Sequence, residues 1–119
     1  MMYLNDWKES GRKGVLDDFN EYGKDVDFLE GFDVLLASYI QESYEGYAFL
    51  LLRKGSEIYE INASHCSCFG LEGQFQPEET TVESMRHRLD EGSFGTDYRG
   101  VNEFADELRE VLDRIDTFS

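Results

Sequence analysis

"VLLASYIQESYEGYAFLLLRKGSEIYEINA", residues 34–63, carries three β-rich runs and two turn signals, and its reading decides the fold. The middle run, residues 47–52, is apolar at every position. Tyr47, Phe49 and Leu51 alternate with Ala48, Leu50 and Leu52, so both faces of a strand here want cover and the strand belongs at the centre of its sheet. The first run, residues 34–40, is joined to it by "QESYEG", where Glu45-Gly46 suits a tight hairpin. Gly55-Ser56 supplies the second turn, and the third run, residues 57–63, sets Tyr59, Ile61 and Ala63 on one face. The expectation is a three-stranded antiparallel meander over about residues 34–63.

Outside the meander the apolar spacing changes from two to that of a helix. In "VNEFADELREVLDRIDTF", from residue 101, Phe104, Leu108, Val111, Leu112 and Ile115 fall on one side at about 100° per residue. In "PEETTVESMRHRLDEG" the stripe is Val82, Met85 and Leu89, with Thr80 and Glu83 as a capping box and Gly92 available to end the helix. A shorter helix is expected in "VLDDFNEY" from Val15, Leu16, Phe19 and Tyr22, and "GQFQPEE" reads as a loop. The fold class is therefore α+β: the meander, two C-terminal helices at about 80–91 and 101–116, and a short N-terminal helix. With 119 residues and no repeat or linker, residues 1–119 read as a single domain.

Composition narrows the function. Seven Tyr, nine Phe and one Trp in a chain that is 40% hydrophobic are enough to build a core. The net charge of −15, from 26 acidic and 11 basic residues, argues against direct contact with nucleic acid, whose phosphates are held mainly by Lys and Arg. No apolar run reaches the roughly 18 residues of a membrane span and the N-terminus shows no secretory pattern, so a cytoplasmic location is expected.

Motifs of known chemistry are missing. The sequence contains no Walker loop, dinucleotide fingerprint, "HExxH" or "GxSxG". "DVDFLEGFDVLL" starts like a calcium loop but puts Leu29 at position five, Gly31 one place late and Leu36 at position twelve. "SHCSC", residues 64–68, holds His65, Cys66 and Cys68, and His87 completes the ligand count of a tetrahedral zinc site. Cys-x-Cys is a poor spacing for such a site, and His87 lies nearly opposite the stripe of its helix, toward solvent. The preferred reading makes the cysteines small apolar residues closing a sheet edge, with no metal or cofactor. A small metal-binding or thiol-dependent domain using Cys66, Cys68, His65 and His87 is the alternative.

The acidic residues are patterned. Asp25, Asp27 and Glu30 sit in a stretch with few cations, and Glu103, Asp106, Glu107, Glu110 and Asp113 lie opposite the core stripe of the last helix. Carboxylates three or four positions apart on a helix stand about 5–6 Å apart at Cβ, comparable to phosphates along one strand. A charged outer face is also what any solvated amphipathic helix shows, and Arg109 and Arg114 interrupt this one.

The segment "SHCSCFGLEGQFQPEETTVESMRHRL", with the preceding "YAFLLLRKGSEIYEIN", resembles a group of small uncharacterised acidic proteins of tailed bacteriophages and prophages. The group brings no activity, cofactor or assigned site. What the resemblance implies is context: small acidic phage proteins often inhibit host machinery by binding, some as DNA mimics aimed at restriction or CRISPR effectors. Charge and resemblance together lead to the expectation of a non-enzymatic, phage-encoded anti-defence inhibitor. It would act in the host cytoplasm, with a basic host protein or nucleoprotein complex as partner and the eight carboxylates above as contact residues.

Overall fold

The computed structural model describes residues 2–20, 27–42, 45–65, 71, 74–92, 94–95 and 103–118. The protein is α+β, and the described residues form three helices and a five-stranded mixed sheet in the element order β1 (Met2–Asn5), α1 (Gly11–Phe19), β2 (Asp33–Glu42), β3 (Glu45–Lys54), β4 (Glu57–His65), β5 (Glu78–Thr80), α2 (Val82–Glu91), α3 (Ala105–Phe118). The spatial order of the strands follows the chain, β1-β2-β3-β4-β5. The chain divides into two compact units, Met1–Glu79 and Thr80–Ser119.

In the first unit the expected meander is the middle of the sheet. β2 pairs antiparallel with β3 and β3 with β4. The all-apolar strand is central, and Ala48, Phe49, Leu50, Leu51 and Leu52 are completely buried, as cover on both faces requires. One face collects Ala37 and Tyr39 of β2, Ala48, Leu50 and Leu52 of β3, and Ile61 and Ala63 of β4 in a single cluster with Trp7, Val15, Phe19 and Leu29. An irregularity between Val34 and Leu36 changes the facing of the strand, so that Val34 joins this cluster as well.

One of the two expected turns of the meander is not where the sequence puts it. Glu45 and Gly46, expected to turn, are strand residues, paired with Glu42 and Gln41; residues 43–44 lie outside the described residues. The second turn is where the sequence puts it. Lys54 pairs with Glu57 across Gly55-Ser56, and Gly55 takes a φ of 65°, the left-handed value that glycine adopts without steric cost.

Two strands extend the meander. β1 runs parallel to β2, Met2 opposite Leu36 through Asn5 opposite Tyr39, and α1 lies between the two in the chain. At the other side of the sheet β5 takes up residues 78–80, of which Glu78 and Glu79 read in sequence as loop. A three-residue edge strand bearing Glu78 and Glu79 is a poor template for a further strand.

The helices keep their apolar faces and shift their ends. α1 starts at Gly11 and buries Val15 and Phe19; Tyr22 lies outside the described residues. α2 is capped by Thr81, whose hydroxyl accepts from the Ser84 N–H at 3.1 Å, whereas Thr80, the expected cap, belongs to β5. Its Gly92 ends the helix with an extended backbone, φ −134° and ψ −163°, rather than a left-handed one. α3 begins at Ala105. The stripe residues Phe104, Leu108, Val111 and Leu112 are all buried, but Phe104 precedes the helix.

No helix among the described residues is long and apolar enough to cross a membrane.

Candidate functional site

The acid expected to form a contact row is partly engaged inside the second unit. Asp106, Glu110 and Asp113 are exposed on α3, as the spacing requires, while Glu107 is half-buried. Glu103 is not on the helix at all. Its backbone N–H, with those of Phe104 and Ala105, donates to the Gly95 carbonyl at 2.8, 3.0 and 3.2 Å, and this shared acceptor ties off the entry to α3. Asp106 and Glu107 stand in the first helical turn, where negative charge meets the positive end of the helix dipole.

Arginines cross the row. Arg86 of α2 reaches Asp113 at 2.8 Å, Arg109 of α3 reaches Asp90 at 2.6 Å and also donates to the Leu89 carbonyl, and Arg114 pairs with Glu110 one turn back at 2.7 Å. Two of these pairs join α2 to α3, and the third was legible as an i, i+4 spacing. All are substantially exposed, so each contributes at most about 1 kcal/mol.

In the first unit Asp27 accepts two hydrogen bonds from Arg12, both at 2.8 Å, and its Oδ1 also accepts from the Leu29 N–H at 3.0 Å. Glu30 is exposed, and Asp25 lies outside the described residues. Among the described residues the expected second patch is thus an ion pair, one Arg12 nitrogen meeting both Asp27 oxygens, beside the exposed carboxylate of Glu30.

Arginine engagement is general. Arg53 donates to the Gly55 carbonyl, and the Arg88 guanidinium stands 4.1 Å from the centre of the Phe94 ring. Every arginine among the described residues therefore meets an acceptor or a ring of its own unit. Such pairing redistributes charge without removing it. Residues 1–79 hold sixteen acidic and six basic side chains, and residues 80–119 hold ten and five, so most of the excess belongs to the first unit.

Cys66 and Cys68 lie outside the described residues, as does the side chain of His65; the backbone of His65 closes β4 opposite Gly46. His87 is exposed, as its helical position implies, and borders an open hollow of about 470 Å³ with Arg88, Glu91, Gly92 and Phe94. Among the described residues no three His, Cys, Asp or Glu side chains come together as a metal site.

A second, smaller site went unseen in the sequence. Phe75 turns inward, its ring edge-on to Phe19 at 5.6 Å and stacked on Phe28 at 5.1 Å. Gln74, Gln76 and Glu78, at the alternate positions, line a cavity of about 170 Å³ together with Asn62 of β4. The Gln74 amide spans the backbone of Ser64, accepting from its N–H at 3.1 Å and donating to its carbonyl at 2.7 Å, which satisfies the strand edge as a neighbouring strand would. Asn62 accepts from the Tyr47 hydroxyl and donates at 2.7 Å to Glu60, a carboxylate only 7% exposed. The signal that could have revealed the site is the period-two pattern of "QFQPE", polar at alternate places around one aromatic.

Elsewhere on β4, Tyr59 donates to Glu57 at 2.6 Å. That hydrogen bond, followed by burial and the charges of Glu57 and Glu79, raises the phenol above its ordinary value. No family model, curated protein or solved structure matches the chain.

Proposed function

We propose that the protein is a non-enzymatic binding protein whose anionic surface docks on a basic, nucleic-acid-handling host factor of the restriction or CRISPR type and blocks it. One observation carries the reading. The fold uses its described arginines internally, in four exposed ion pairs and in contacts with carbonyls and a ring, and a net charge of −15 still surrounds a 119-residue chain. Charge of one sign at that density opposes folding by self-repulsion, and a cationic partner relieves it.

The contact surface in this reading is broader than one helix. Asp113 and Glu110 are bridged to arginines and Asp106 and Glu107 serve the start of α3, so the row supplies field rather than a literal copy of a phosphate strand. The sixteen carboxylates of residues 1–79 add the larger share. The resemblance of residues 47–89 to phage proteins supplies the setting, the cytoplasm of an infected host.

The experiment is capture from bacterial lysate on the immobilised full chain, with elution by salt and, separately, by duplex DNA. Screening shortens the reach of charge from about 10 Å at 0.1 M to about 3 Å at 1 M, so the partner should leave in salt and be displaced by DNA competing for the same basic groove. A partner that resists both, or recovery of none at low salt, ends this reading.

A further inference from the structure

The cavity beside β4 selects by charge and by size. Its described lining comprises three carboxamides, Asn62, Gln74 and Gln76, and the carboxylate of Glu78, so each of the four side chains presents an oxygen acceptor and none is a cation. An anion would face Glu78 at close range within a chain of net charge −15. A neutral sugar is favoured by an aromatic platform, and no aromatic ring is among the described lining residues. A cation with several N–H donors fits both the acceptors and the field.

Size narrows the occupant further. At about 170 Å³ the cavity is smaller than the roughly 300–1,000 Å³ of sites for drug-sized ligands, and at about 30 Å³ per water it has room for one small headgroup and its adjoining methylenes.

Two of the acceptors are already fixed in place. Asn62 is held between Tyr47 and Glu60, and Gln74 is held at both ends of its amide by Ser64. Side chains locked by such outside partners lose little freedom on meeting a ligand, which is the arrangement a binding site needs. Neither clamp is required to fill the core, which is served by Phe75, next to Gln74 in the chain.

We propose that this cavity is a socket for the guanidinium of an arginine side chain on the basic partner, with Glu78 as its carboxylate and the Gln76 carbonyl oxygen and the second lone pair of the Asn62 oxygen, beside its bond from Tyr47, as further acceptors. A guanidinium offers five N–H donors in one plane, which matches a carboxylate flanked by amide oxygens better than a single ammonium does. The socket rests on the docking reading above and gives it an anchor point: long-range charge brings the partner, and one inserted side chain sets its orientation.

The test uses the isotope-labelled full chain and methylguanidinium as the probe, following the side-chain amide resonances of Asn62, Gln74 and Gln76 by NMR. Saturable shifts confined to these resonances are expected, with no comparable response to methylurea, the uncharged analogue, or to sodium chloride at equal ionic strength. Glu78→Gln, on an exposed edge strand, should weaken the probe by at least about threefold, and Gln76→Ala should weaken it without disturbing the backbone spectrum. Equal shifts from methylurea, or shifts spread over the other Asn and Gln residues without saturation, overturn the socket. The docking reading would survive that result, because it stands or falls on elution of the captured partner by salt and DNA.

Discussion

The indole N–H of Trp7 donates to the carboxylate of Asp18 at 2.6 Å, tying the turn after β1 to α1 from inside the main cluster. Trp7 is 1% exposed and its ring lies 5.1 Å from Tyr39 and 6.1 Å from Phe19. A buried indole donor that loses its acceptor keeps the cost of leaving water. Asp18→Ala should therefore lower stability by about 1–3 kcal/mol in denaturant titrations, and Asp18→Asn, which retains an acceptor oxygen, by less. Equal losses would mean that the carboxylate acts through some other contact.

Gly95 has a φ of 83°, and a Cβ built there would lie 2.8 Å from the Ala105 backbone. Gly95→Ala thus meets a strained backbone and a clash, at the place where one carbonyl gathers three N–H groups. Loss of roughly 2 kcal/mol or more, visible as reduced helical ellipticity on heating, is expected. Gly55→Ala is the control. Its φ of 65° is also left-handed but nothing lies within 4 Å, so only the backbone penalty of about 1 kcal/mol remains.

Thr81 and Thr80 are adjacent and chemically identical, yet only Thr81 caps α2. Thr81→Ala should cost about 1 kcal/mol, within the range for lost N-caps, while Thr80→Ala changes stability by a smaller amount. A larger effect at Thr80 in thermal melts would place the start of the helix one residue earlier.

The Tyr59 phenol is raised chiefly because its hydroxyl donates to Glu57. Ionising the phenol removes that donor and sets two anions together. The folded value exceeds the unfolded value of 10.0, so the associated stability is complete below pH 10 and disappears as pH rises through the folded value. Glu57→Gln should bring the Tyr59 titration, followed by NMR of the ring carbon, down toward the ordinary tyrosine range. An unmoved titration would assign the shift to burial instead.

Reversal of Asp106, Glu107 and Glu110 to Lys examines the α3 face. Association with a captured partner should slow by about tenfold or more and lose part of its salt dependence. The first two reversals also oppose the helix dipole, at about 0.3–1 kcal/mol each, so circular dichroism must show α3 intact before the rates are read. Unchanged rates would move the contact to the carboxylates of residues 1–79.

What could be read in advance followed from periodicity. The unbroken apolar run at residues 47–52 identifies a central strand because no other position in a sheet tolerates it, and Met85, Leu89, Leu108 and Leu112 are buried where a 3.6-residue repeat puts them. β1 escaped because four residues, three half-buried and one exposed, are too few to show a period, and β5 because "EET" has no apolar member to reveal it. The start of α3 was misplaced since Phe104 continues the stripe while its N–H is drawn to Gly95, a partner that no local pattern announces. Among the candidate residues, outward placement of His87, Asp106, Glu110 and Asp113 followed from helical geometry. The two ion pairs between α2 and α3 did not: Arg86 and Asp113 are 27 residues apart, Arg109 and Asp90 are 19 apart, and only packing of α2 against α3 brings them together.

Strand order along the sheet repeats strand order along the chain, with one unequal step. The hairpins joining β2, β3 and β4 close loops of two residues, whereas β1 meets β2 only after the chain between Asn5 and Asp33 has been drawn in. Closing the long loop costs more entropy and returns only four residue pairs. The parallel ribbon at the margin should accordingly assemble after the two hairpins on refolding and release its amide protons to solvent before theirs, an order that hydrogen exchange followed by NMR would read.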